Sequence, residues 1–334
     1  MGETMNLSTT YLGLPLAHPL IAGASPMVDD MGMVKRLEDA GASAIVMHSL
    51  FEEQITREEM GTIMDMELHA HNSAEAISYF PKPDEFRLGP EKYLEQIQRV
   101  KAAVSVPVIA SLNGITPAGW LHHGKLMQDA GADALELNVY YIPTDAKEST
   151  ADVEKRTLDI VKAVKTEVSI PVSVKLSPFF SALAHFAVEL EAAGADGLVL
   201  FNRFFQPDIN IEDLLAEPTL QLSSPSDLLL RLRWLAVLHG HVKGSLAVTG
   251  GVHDGIGALK AVMAGADAVQ MVSALLIHGP ERLAQARTTM AEWLEEHEYE
   301  SLAQARGSMS LLKSPNPQAF TRANYMRILN GWKP

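Results

Sequence analysis

Several residues in this chain stand where their types could do chemistry. Thr249-Gly250-Gly251 ends one short apolar run, and Ser273-Ala274 ends the next. Glycines just past a strand let the backbone approach a ligand with its N–H groups turned outward. A helix N-terminus beyond the glycines adds partial positive charge. Together these features suit a phosphate. Asn113, Asn138 and Asn202 each close another apolar run. Their amides both donate and accept, which suits a neutral, amide-rich ligand. Ala24, Ser25, His48, Ser49 and Ser177 fall at similar ends. Lys175 stands inside the apolar segment SVKLSP. A bare ammonium is costly to bury, so it must pair with a carboxylate such as Glu136 or face a ligand. Facing a ligand, it would either stabilise negative charge on an electron-rich cofactor or form a Schiff base.

These residues need elements that bring them to one place. Ala-Gly-Ala recurs at 40–42, 130–132, 193–195 and 264–266, and the last three copies are followed by Asp133, Asp196 and Asp267. Each copy follows a helix-period segment and precedes an apolar strand, so its glycine reads as the positive-φ residue that ends a helix. Val106-Pro107-Val108 and Ile170-Pro171-Val172 open two further strands, a position where proline costs no ladder bond. The pattern predicts strands at 20–24, 43–48, 106–112, 133–138, 170–176, 196–201, 245–249 and 267–271. Helices are predicted near 30–40, 91–104, 117–130, 151–167, 181–193, 226–239, 254–264 and 280–297. Such alternation implies a parallel sheet with right-handed crossovers. Eight units close as an α/β fold, the (β/α)8 TIM barrel, with a doubly wound open sheet as the rival. Barrel chemistry sits at the C-terminal ends of the strands, where the residues above fall. Long rim insertions are predicted after strands 2 and 6, at 49–90 and 202–225. Residues 1–334 read as one domain, with 298–334 as a C-terminal extension that caps the barrel or meets a partner.

Composition narrows the function. A formal net charge of -14 argues against nucleic acid and against an anionic membrane surface. The absence of cysteine removes disulfides, thiolate catalysis and iron–sulfur ligation. The N-terminus has no basic segment leading into a long apolar run, and no apolar stretch is long enough to span a bilayer. A cytoplasmic protein with a small-molecule substrate is expected. His69, His71, His122 and His123 have no carboxylates at ligand spacing, so no metal site is expected. Phe204-Phe205 reads as core or lid packing.

Six blocks carry a resemblance. PLIAGAS (19–25), ASLNG (110–114), ALELNVYY (134–141), PVSVKLSP (171–178), GLVLFN (197–202) and VTGGV with AGADAVQMVSAL (248–252, 264–275) resemble, in order, the dihydroorotate dehydrogenases. The resemblance runs over roughly residues 10–290 and looks nearest to bacterial proteins described as dihydroorotate dehydrogenase-like. It implies a barrel with FMN across its mouth. Gly250, Gly251, Ser273 and Ala274 would hold the FMN phosphate, and Ala22, Gly23 and Ser25 would pass along the isoalloxazine. Asn113, Asn138 and Lys175 would contact the flavin, with Lys175 near the N1/O2 side. His48, Asn72, Asn138 and Asn202 would meet the substrate. The implied reaction removes a proton from a dihydropyrimidine, as in the oxidation of dihydroorotate to orotate for pyrimidine biosynthesis, and passes a hydride to flavin. A soluble electron acceptor or partner protein, and a homo-oligomer, go with it.

Three departures bear on the substrate. The family's loop after strand 4 carries a Cys or Ser base; here it is Asn138-Val139-Tyr140-Tyr141-Ile142-Pro143, with Tyr141 at the base position. Tyrosine, with an ordinary pKa of about 10, serves as a base only if a cation such as Lys175 lowers it; otherwise both tyrosines wall the pocket. A lysine usual near the end of strand 2 is His48, and the family's second loop asparagine has no counterpart beyond Thr144. A flavin-free lyase using Lys175 as Schiff base, and a flavin-carrying barrel without dehydrogenase activity, remain the alternatives.

Overall fold

Breakers in the sequence set the bounds of each repeating unit. The computed structural model describes residues 5–52, 89–114, 117–203, 206–218 and 220–331. A short hairpin, β1 (Thr9–Tyr11) and β2 (Leu14–Leu16), precedes the barrel strands β3 (Leu20–Ala22), β4 (Ile45–Phe51), β5 (Val108–Asn113), β6 (Ala134–Asn138), β7 (Val172–Leu176) and β8 (Gly197–Leu200). A second hairpin, β9 (Pro207–Asn210) and β10 (Leu215–Pro218), is followed by β11 (Ser245–Thr249) and β12 (Ala268–Met271). The eight barrel strands close in the order β11-β12-β3-β4-β5-β6-β7-β8, all parallel, with β8 pairing back onto β11. Helices Met31–Asp39, Pro90–Ala103, Pro117–Asp129, Thr150–Glu167, Leu183–Ala192, Leu228–Leu238, Gly255–Ala264 and Arg282–Glu296 lie between and after them. The fold is the (β/α)8 barrel, and closure removes the open-sheet rival.

Two boundaries differ from the sequence reading for one reason. β5 and β7 begin after Pro107 and Pro171, yet the carbonyls of these prolines accept from Ile45 N and Leu135 N. Proline contributes an acceptor to the ladder but no donor.

The four recurring Ala-Gly-Ala turns, three of them followed by Asp, are explained by geometry. Their glycines, Gly41, Gly131, Gly194 and Gly265, all have positive φ. The aspartates that follow reach across to the neighbouring strand. Asp133 Oδ2 accepts from Val108 N and Lys101 Nζ, both at 2.7 Å. Asp196 Oδ2 accepts from Val172 N and Lys165 Nζ, also at 2.7 Å. Asp267 accepts from Leu246 N and pairs with Arg306. Each carboxylate thus fixes the start of a strand and hence its register.

The N-terminal end of the barrel is closed. Tyr11, Leu12 and Leu16 of the first hairpin pack on the inward residues Ile21, Ala44, Val46, Ile109, Ala134, Val199, Ala247 and Ala268. Half of these are alanines, and the missing volume is what admits Tyr11. The C-terminal extension also docks away from the strand C-termini. Gly307 N, Met309 N and Leu311 N donate to Val262 O, Met263 O and Ala236 O, near the C-terminal ends of two helices. Among the described residues no helix is long and apolar enough to cross a membrane.

Asp133→Ala leaves the Val108 amide and Lys101 without their acceptor. The expected loss is about 1–3 kcal/mol of unfolding free energy, measured by urea denaturation.

Candidate active site

The strand C-termini open into a cavity of about 850 Å³. Ser25, His48, Asn138, Lys175, Asn202, Gly250 and Ser273 line it. Ala22, Gly23, Asn113 and Gly251 are in the strand ends and turns around it, and Ala274 is in the short helix Ser273–His278 after β12, all outside its immediate lining. Asn72, with His69, His71 and Phe204-Phe205, lies outside the described residues. Among the described residues no group of three or more His, Asp or Glu side chains is placed to hold a metal ion. His122 and His123 touch each other edge to face.

Lys175 projects from β7 and is 7% exposed. Its Nζ donates to Glu136 Oε1 at 3.2 Å, and Gln270 Nε2 donates to Glu136 Oε2 at 2.5 Å. The salt bridge weighed from the sequence therefore exists, and Lys175 faces the cavity as well. Beside it the two amides bond to each other, Asn202 Nδ2 donating to Asn138 Oδ1 at 2.6 Å.

The glycine turn after β11 is tight on every side. Gly250 and Gly251 both have φ of +84°. A Cβ on Gly251 would stand 2.3 Å from Leu228 N, and one on Gly23 2.5 Å from Val272 Cγ2. Gly251 N donates to Ser223 Oγ, while Ser223 N and Oγ both donate to Ser273 Oγ at 3.0 and 2.8 Å. Ser223 thus joins the ends of β11 and β12 into one polar cradle.

Under this cradle lies Arg231, which sequence reasoning missed. It is 8% exposed, and a Cβ on Gly250 would stand 2.9 Å from its Nη2. Its Nε donates to Thr249 O and its Nη1 to Asp227 O, both at 2.6 Å. Burial lowers its pKa below the ordinary guanidinium value; nearby Arg203 acts in the same sense and Asp227 opposes. The cavity wall carries Lys175, Arg203 and Arg231 against one carboxylate, Asp29, in a chain of net charge -14. That concentration of positive potential favours an anionic ligand. The only sequence signal near Arg231 was the Ser224–Asp227 capping box that starts its helix.

Tyr141 is placed elsewhere. It lines a neighbouring cavity of about 450 Å³, together with Glu148, Arg156, Phe179 and Gln206. Its hydroxyl donates to Glu148 Oε2 at 2.6 Å, and Arg156 lies 4.3 Å over its ring. Arg156 also pairs with Glu148. The charged groups in contact with Tyr141 are these two, rather than Lys175.

A sequence model of the dihydroorotate dehydrogenase family matches residues 7–294. The chain belongs to that family. By membership it is a flavin-dependent oxidoreductase acting on CH–CH bonds. A dihydroorotate dehydrogenase B (NAD(+)) catalytic subunit from Methanothermobacter thermautotrophicus is 28% identical over 289 residues, which are 82% of this chain and 89% of that protein. The protein of the same description from Methanocaldococcus jannaschii is 27% identical over 305 residues, covering 89% and 95%. Within this dihydroorotate dehydrogenase scaffold, a buried charge pair forms part of the mouth. Lys175→Met should lose about 3–5 kcal/mol in denaturant titration, because it leaves Glu136 buried without its cation. Adding Glu136→Gln to Lys175→Met should recover most of that loss.

Proposed function

We propose that this protein is an FMN-dependent dehydrogenase that oxidises dihydroorotate, or a dihydropyrimidine of the same kind, to the unsaturated ring. The observation that carries the reading is the cationic mouth itself: a glycine–serine cradle over Arg231 at one side, and the Lys175 ammonium beside the paired amides Asn138 and Asn202 at the other. The residues fit the cofactor. Two of the cradle's glycines leave no room for a Cβ, and the cavity volume lies in the range of cofactor sites.

In this reading Gly250, Ser273 and Ala274 bind the phosphate through backbone N–H groups and the serine hydroxyl, Gly251, whose own N–H is given to Ser223, shapes the turn beside it, and Arg231 supplies the counter-charge. Ala22, Gly23 and Ser25 form a narrow edge along the ring system. Asn113 and Asn138 donate to the ring, and Lys175, held by Glu136, stabilises negative charge on it. The bound flavin would accept the hydride and its electron pair. Asn138, Asn202, His48 and Asn72 orient the substrate, the amides matching its alternating N–H and C=O groups. Tyr141, engaged with Glu148, walls the adjacent pocket. A Schiff base needs a neutral amine, and the Lys175–Glu136 ion pair favours the flavin role instead. The relatives are named as catalytic subunits, which supports an electron-accepting partner protein.

Two measurements test the reading. Flavin-stripped protein, titrated by flavin fluorescence, should bind FMN about 100-fold more tightly than riboflavin, and Arg231→Met should cut that ratio about tenfold. Protein that takes up neither flavin removes the reading. Anaerobic dihydroorotate should bleach the loaded protein; a flavin that stays oxidised rejects this substrate.

A further inference from the structure

The group that takes the substrate's proton is not settled by the loop after β6, where Tyr141 is turned to Glu148. We propose that His48 removes this proton through Nε2, with Asp29 as its orienting carboxylate. This assignment rests on the dehydrogenase reading above.

β4 is irregular where it carries His48. Val46 pairs with Ile109, but the next pair is Ser49 with Ser111, so three steps on β4 oppose two on β5. One residue is extra, which is a β-bulge. In a regular strand, neighbours point to opposite faces. Here the consecutive residues His48 and Ser49 both line the mouth. The bulge re-aims a side chain that an unbroken strand would turn away.

The bulge is pinned from behind by Tyr93. The buried Tyr93 hydroxyl donates to His48 O at 2.8 Å, shared with Ser111 O at 3.0 Å, and accepts from Ser111 N at 3.1 Å. Burial raises the Tyr93 pKa, so the hydroxyl stays neutral and can do both. The rings of Tyr93 and His48 meet edge to face at 5.1 Å.

His48 also meets a carboxylate. Asp29, from the turn Pro26–Asp29 after β3, places Oδ1 2.8 Å from His48 Nδ1. This is an ion-pair approach rather than an aligned hydrogen bond, and a carboxylate there would stabilise the imidazolium that forms when Nε2 takes the proton. Both residues line the same cavity as Lys175, Asn138 and Asn202.

The balance is simple. The C–H next to a ring carbonyl gives its proton to His48 Nε2. The neighbouring carbon would give a hydride, with its electron pair, to the oxidised flavin when one is bound. A C=C bond forms between the two carbons, and the imidazolium later returns its proton to water.

The test uses the flavin-loaded full chain and dihydroorotate. In anaerobic stopped flow, His48→Gln should slow flavin reduction about 10²–10⁴-fold, and Asp29→Asn, which keeps the imidazole, about tenfold. Tyr141→Phe should remain near the wild-type rate. A second readout involves no net oxidation. With the flavin already reduced, wild type in D₂O should exchange the hydrogen next to the dihydroorotate carbonyl, seen by NMR. His48→Gln should lose that exchange while still binding orotate, followed by the flavin spectrum. Wild-type reduction and exchange rates in His48→Gln, or their loss in Tyr141→Phe alone, overturn the assignment and leave the dehydrogenase reading intact. A flavin-loaded wild type that neither bleaches nor exchanges removes both.

Discussion

The Glu136 carboxylate is buried within the barrel, and much of the molecule is arranged around it. It is fully buried, and an uncompensated charge there would cost several kcal/mol. One oxygen is met by Lys175 from β7 and the other by Gln270 from β12. Three strands are thereby tied together through their side chains. The pair also divides the barrel. Toward the N-terminal end the interior is apolar and plugged by Tyr11, whose own pKa is raised chiefly by burial and further by Glu136. Toward the C-terminal end the Lys175 ammonium forms part of the cavity wall, oriented by the protein before any ligand arrives. Preorganised charge of this kind needs no rearrangement when a reaction develops negative charge beside it.

Much of this was legible in the sequence because it repeats. Four Ala-Gly-Ala turns and two Pro-opened strands state the βα period several times over, and eight units leave little choice but closure. The asparagines and Lys175 were legible because polar residues at the ends of apolar runs are conspicuous against the barrel rule. Asp133, Asp196 and Asp267 were noticed as a recurrence, but their work as acceptors for the neighbouring strand's amide requires the fold to be seen.

The residues that escaped the sequence share a different property: each acts at a break in regularity. The β4 bulge leaves no compositional mark, since IVMHSLF reads equally well as an unbroken strand. Asp29 sits in a turn of one 3-10 helix, next to another aspartate that merely caps the following helix. Ser223 and Arg231 belong to the long connection and helix between β8 and β11, and their contacts with β11 and β12 span 18 to 50 residues. Tyr141 is a different case. Its position in the loop was readable, but its direction was set by Glu148 and Arg156, partners further along the same loop and helix.

Charge gives the last constraint. A chain with 41 acidic and 27 basic side chains should repel anions on the whole. At the mouth the balance inverts, because Lys175, Arg203 and Arg231 face one carboxylate, Asp29, and low-dielectric walls focus their field. Lys175 is largely neutralised by Glu136, so the attraction at long range comes mainly from the two arginines. Arg231 is fixed by two backbone carbonyls under the glycine cradle, which leaves its charge unspent on any ion pair among the described residues. Asp227 at the start of the same helix offsets part of that charge, and what remains suits an anion in the mouth. The acidic surface and the cationic mouth therefore act together: the first discourages polyanions everywhere else, and the second concentrates positive potential at one place suited to a small anion.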